Sequence, residues 1–136
     1  MAVVEKRYVN IPAVVVSETF DDKYKSIWPK KLTAALAAAI KGSSKLTTEE
    51  SDDKKAQAFY AAGDLTFSKT DKEVAAQISV ILADWPSKKM FRTEISKAAA
   101  PVSNPAKIDK RLEVLMKDLM ESIQGKVVKT LESKVK

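Results

Sequence analysis

The chain has 136 residues, 45% hydrophobic and 31% charged, with a formal net charge of +6 and neither Cys nor His. That length supports a single domain with its own core. The missing residue types exclude thiolate and imidazole catalysis, Cys/His zinc sites and haem ligation through His or Cys, and no apolar run approaches the ~20 residues of a transmembrane segment.

The first residues, Met1 to Arg7, lack the basic and apolar regions of a signal peptide. Two readings stay open: a cytoplasmic protein, or a periplasmic or envelope-associated one whose leader has been removed. Residues 1–7 are expected to be disordered. Tyr8 to Phe20 reads as a strand, with Val14-Val15-Val16 as a β-branched run for a strand covered on both faces. Pro12 lacks an N–H, which places the early part at an edge or a bulge and makes Tyr8 to Ile11 separable.

Asp21 and Asp22 follow, able to cap a helix. From Tyr24 through Ile27, Trp28, Leu32, Leu36 and Ile40 the apolar spacing is near-helical. Pro29 either kinks this helix or sits in its first turn. Gly42 stands just past its end, and the Ala34 to Ala39 face fits close approach to a sheet. Lys45 to Glu49 can form a brief strand, and Glu49 to Lys55 is charged enough to be an exposed loop.

Gln57 to Ala98 reads as a three-strand antiparallel meander with one wet face. Its apolar phase carries Phe59, Ala61, Leu65 and Phe67, then Val74, Ala76, Ile78, Val80 and Leu82, then Phe91 and Ile95. Gly63 within the first of these strands marks a bulge or close packing under a helix. Asn104 and Pro105 form a helix-start signature. Ile108, Leu112, Leu115, Leu119, Ile123, Val127, Leu131 and Val135 then recur at steps of three or four, one apolar stripe on a long helix. The fold class is therefore α+β: a two-layer sandwich with a mostly antiparallel sheet of four or five strands and two helices on one face.

The chemistry-bearing motifs are few. Three glycines cannot build a phosphate-binding loop. The pairs Asp21/Asp22, Glu49/Glu50 and Asp52/Asp53 are sequence neighbours in turns or a charged loop, where capping and solvation account for them. A glycosidase needs two carboxylates facing each other across a cleft, and a calcium loop needs a different spacing. No catalytic residue, cofactor or metal site is therefore expected. The lysines are interspersed with Asp and Glu, as on a solvated surface. A basic nucleic-acid-binding domain is the alternative, although Tyr60 is the only aromatic on the polar phase of the meander.

Protein association is the leading expectation, through a partner or self-association. Trp85-Pro86 lies at a hairpin tip, where the Trp either folds back onto the sheet end or, left exposed, anchors a partner or touches a membrane. A helix from Asn104 to Lys136 would reach roughly 45 Å, against ~33 Å for a ten-residue strand. This arithmetic leaves residues 125–136 overhanging the sheet. Trp85, Val127, Val128, Leu131 and Val135 are accordingly the expected partner-binding residues.

The order Ala13-Val14-Val15-Val16, Leu32 to Ile40, Ala61-Ala62-Gly63-Asp64-Leu65, Ile78 to Asp84 and Ile108 to Ile123 resembles a group of small bacterial envelope domains. These are lipoprotein accessory modules related to the curli-secretion protein, to outer-membrane activators of peptidoglycan synthases and to the amino-terminal domain of the Tol-system propeller protein. The segment between Leu46 and Ala58 is shorter than in that group, and there is no lipobox Cys. The resemblance implies a non-enzymatic periplasmic module that binds other envelope proteins.

Overall fold

The fold is known from a computed structural model that describes residues 6–16, 27–49, 57–69, 72–101 and 107–135. These form β1 (Arg7–Asn10), β2 (Val15–Val16), α1 (Trp28–Lys41), β3 (Leu46–Thr47), β4 (Ala58–Lys69), β5 (Glu73–Asp84), β6 (Met90–Pro101) and α2 (Ile108–Lys134). The strands make one six-stranded sheet, ordered β3-β1-β4-β5-β6, with β2 also beside β4. The fold is α+β.

The sheet is mixed, where the sequence led us to expect a mostly antiparallel one of four or five strands. β4, β5 and β6 are the expected antiparallel meander. β1 pairs parallel with both β3 and β4, and β2 pairs parallel with β4. The cause is connectivity. A chain that leaves β1, crosses one sheet face as a helix and returns beside β1 comes back parallel to it. Pro12 separates β1 from β2 as anticipated. From the Asn10–Tyr60 pair to the Val15–Asp64 pair, the Pro12 chain spends one residue more than β4 does. That is one extra residue within the stretch that holds Pro12, which lacks an N–H.

α1 begins at Trp28 with Pro29 in its first turn, and it ends at Lys41 with Gly42 as C-cap in right-handed geometry. Its apolar stripe, Trp28, Leu32, Leu36 and Ile40, is buried. Gly63 lies directly beneath. A Cβ there would stand 3.2 Å from Val14 Cγ2 and 3.3 Å from Leu32 Cδ2, so the close-packing reading of this glycine holds. Gln124 of α2 donates to the Ala35 carbonyl at 2.8 Å, tying the helices side by side on that sheet face. Asp21, Asp22, Asp52, Asp53, Asn104 and Pro105 lie outside the described residues.

One core cluster joins the inner faces of β4 and β5 to both helices. α2 contributes Leu112, Leu115, Met116, Leu119, Met120, Ile123, Val127 and Leu131, all buried. This corrects the expected overhang of residues 125–136. β4, β5 and β6 are each 12 residues long, and α2 has 27. Both lengths come to about 40 Å. The helix is thus matched to the sheet. Val127 and Leu131 have no exposed surface, while Val128 and Val135 are partly buried against the same core.

The match has a measurable consequence. Leu131→Ala should lower unfolding stability by about 2–5 kcal/mol, the range for a buried Leu. Chemical denaturation checks this; a change within about 0.5 kcal/mol is what a solvent-exposed position would give.

Candidate functional site

With the helices on one face, no element among the described residues covers the other face of the meander. Its outward residues are small or polar over much of the area: Ala62, Asp64, Thr66 and Ser68 on β4, Ala75, Gln77 and Ser79 on β5, Thr93, Lys97 and Ala99 on β6. Two large aliphatic residues break that pattern, Ile81 at 40% exposure and Ile95 at 45%. Ile81 stands opposite Thr93 and Ala62, and Ile95 opposite Ser79, so the two isoleucines are diagonal neighbours. Met90, 60% exposed, extends this apolar band toward the hairpin. Farther along the face, a shallow depression of about 440 Å³ has Thr66, Ser68, Ala75, Gln77, Lys97 and Ala99 along its lining.

Ile95 was expected on the apolar, inward phase, and the structure reverses it. Leu82 pairs with Arg92, whereas the next β5 residue, Ala83, pairs with Met90, so Phe91 is an extra residue. A bulge of this kind lets two successive residues face the same side and inverts the alternation beyond it. Phe91 packs edge-on to Phe59 at 6.0 Å, as expected of a core residue. Beyond it Glu94 and Ser96 are buried while Ile95 is turned out.

The inward face of β6 is therefore polar, and α2 answers it. Ser96 donates to the Ser122 hydroxyl at 3.0 Å, Thr130 donates to Glu94 Oε1 at 2.7 Å, and Lys126 Nζ donates to the Ile95 carbonyl at 2.8 Å. The Arg92 guanidinium also donates to Glu94 Oε1, forming an ion pair. Burial opposes ionisation of Glu94, but the hydrogen bonds from Thr130 and Arg92 and the charges of Arg92 and Lys126 outweigh it, holding the carboxyl below its usual range. An inward charge also makes an edge strand a poor template for further pairing. β6 is the edge strand among the described residues, and that edge is thereby guarded.

At the hairpin tip Trp85 folds back, the first of its two expected fates. Its ring stacks on Tyr60 with centroids 5.6 Å apart and planes at 11°. Lys88 Nζ lies 5.3 Å from the Tyr60 centroid and 5.9 Å from that of Trp85. Trp85 remains half-buried, and the Trp85-Pro86 bond is cis. Of the expected partner-binding residues, then, Trp85 sits at the end of the open face, and Val127, Val128, Leu131 and Val135 belong to the helix layer on the other side. They do not form one surface. Ile81 escaped notice at the sequence level, although the run Val80-Ile81-Leu82-Ala83 places apolar residues on both faces of β5. Ile95 and Met90 carried no such signal, since the bulge decides their side.

Among the described residues, no group of three or more acidic side chains lies close enough to hold a metal ion, and no helix is long and apolar enough to cross a membrane. No family model and no curated protein matches the sequence. Solved structures do match in fold. A hypothetical protein from Chlamydia trachomatis has a TM-score of 0.61 at 14% identity, over 90% of this chain and 96% of that one. The rare lipoprotein B from Shewanella oneidensis has 0.56 at 12%, over 91% and 95%. A PelC dodecamer from Paraburkholderia phytofirmans has 0.51 at 11%, over 91% and 92%. At these identities the likeness is one of fold, and the rare lipoprotein B shares it.

Glu94 supplies the pH test of the polar seam. A carboxyl depressed in the folded state stabilises the fold above the ordinary glutamate range, and that contribution disappears as pH falls through the depressed value. Glu94→Gln should therefore be less stable than wild type near pH 7, with the difference shrinking in acid. Thermal unfolding across pH 3–7 checks it. A gap that stays constant over this span would contradict the assigned ionisation.

Proposed function

We propose that this chain is a non-enzymatic protein-interaction or assembly module of the bacterial envelope. The observation that carries the reading is the outer face of β4, β5 and β6, which no described element covers and where Ile81, Ile95 and Met90 form an exposed apolar band. Exposed apolar patches on an otherwise polar face are characteristic of protein-binding surfaces, and their contribution concentrates in a few central side chains. The guarded edge of β6 disfavours strand addition, which leaves face-to-face packing as the mode that this surface supports.

The envelope assignment draws on the fold's use by bacterial lipoproteins such as the rare lipoprotein B of Shewanella oneidensis. The assembly assignment draws on the PelC structure, a protein of this fold described as a dodecamer. The occupant of the outer face is a protein, and a second copy of this chain is the form most readily assayed.

Ile81→Asp and Ile95→Asp should each weaken association by at least about tenfold, because a carboxylate would have to be desolvated in the contact. Both positions face away from the core, so the folded state should remain within about 1 kcal/mol of wild type. Concentration-dependent light scattering, with pull-down from an envelope extract, measures the first; denaturation measures the second. Association unchanged in both variants would remove the outer face as the binding surface.

A further inference from the structure

The hairpin end of the molecule collects positive charge from five separate parts of the chain. Backbone and side-chain contacts place them together. Arg7 N–H donates to the Lys45 carbonyl at 2.8 Å, and Trp85 N–H donates to the Ala58 carbonyl at 3.0 Å, beside the Tyr8–Ala58 pair. Gln57 donates to the Lys134 carbonyl at 2.7 Å, and Lys134 Nζ lies 5.2 Å from the centre of the Phe91 ring. Lys41 closes α1, four residues before Lys45. This end thus presents six exposed lysines, Lys6, Lys41, Lys45, Lys88, Lys89 and Lys134. The described acidic residues within four positions of these lysines or of their hairpin are Glu49, Asp84 and Glu132.

We infer that this end docks on an anionic lipid surface. Lys41 and Lys134 sit at helix C-termini, where they also offset the helix dipoles. Lys6, Lys45, Lys88 and Lys89 have no such task, and their gathering at one end of a ~40 Å body creates a local field that the interspersed sequence does not display. Lysines near an anionic bilayer each add roughly a several-fold gain in affinity. The apolar partners suit the headgroup region: exposed Met90 and Pro86, with the half-buried Trp85 beside them.

A single-stranded nucleic acid would carry complementary charge too, but it gains its further affinity from bases stacking on free aromatic faces. Tyr60 and Trp85 face each other, and Lys88 lies over both rings. The exposed cations gathered here are mostly lysines, point charges rather than the forked guanidinium groups suited to bidentate phosphate contacts; Arg7, beside them, is partly buried. Lipid is the partner that this chemistry favours. The inference rests on charge and placement; Met90 also belongs to the outer-face band, and the Ile81 variant, which leaves the lysines in place, tests that other reading separately.

Flotation of the full chain with vesicles tests it. Binding is expected to vesicles containing phosphatidylglycerol and not to pure phosphatidylcholine, and to weaken as salt rises. Lys45→Glu with Lys89→Glu should weaken it by about tenfold or more. Lys107→Glu with Lys110→Glu, an equal charge change beyond the other end of the sheet, should leave it within about twofold. If the first variant does not fold, Lys45→Gln with Lys89→Gln carries the same comparison. The inference is overturned by equal binding to neutral vesicles, by no binding to anionic vesicles at low salt, or by equal loss in both variants. Release from the vesicles by a mixed oligonucleotide at equal phosphate concentration also overturns it.

Discussion

The structure depends on a length match between one helix and one sheet. α2 lies along β5 and β6 and buries its apolar stripe from Leu112 to Leu131 against the inner face of the meander. Burial of this kind is roughly proportional to the apolar area removed from water. A helix as long as its strands places every stripe residue over sheet, and α1 fills the rest of the layer above Gly63. Both helices are then on one side. The opposite face has no covering element among the described residues, and that asymmetry makes it the available surface.

The junction between α2 and β6 is of a different kind. Ser96, Glu94 and Arg92 meet Ser122, Thr130 and Lys126 where an ordinary two-layer fold would place aliphatic side chains. A buried polar network is sensitive to loss of any one partner, so it fixes the register of β6 as well as holding it. It also turns Ile95 outward. One inserted residue, Phe91, therefore sets two properties together: a guarded edge and an apolar spot on the open face.

Periodicity made much of this legible. The 3.6-residue recurrence from Leu112 to Leu131 and the alternation from Phe59 to Leu82 reflect burial directly, and burial is what folds the chain. Pro12 and Gly63 were readable because each has one strong physical constraint, a missing donor and a missing Cβ. The parallel pairing of β1 was not readable from its composition, since four residues carry no record of their neighbours. A ten-residue strand leaves the helix end overhanging, and the 12-residue strands of the sheet remove that overhang. The inversion at Phe91 was invisible because alternation cannot announce a bulge. The gathering of lysines at the hairpin end likewise belongs to the fold and not to any stretch of sequence.

Amide hydrogen exchange along α2 tests the central claim most directly. If the helix is matched to the sheet, amides around Val127 and Leu131 should exchange about as slowly as those around Leu119 and Ile123, since all require opening of the same packed layer. Rapid exchange beginning after Gly125, with slow exchange before it, would contradict the match and return an unpacked apolar segment to the end of the helix.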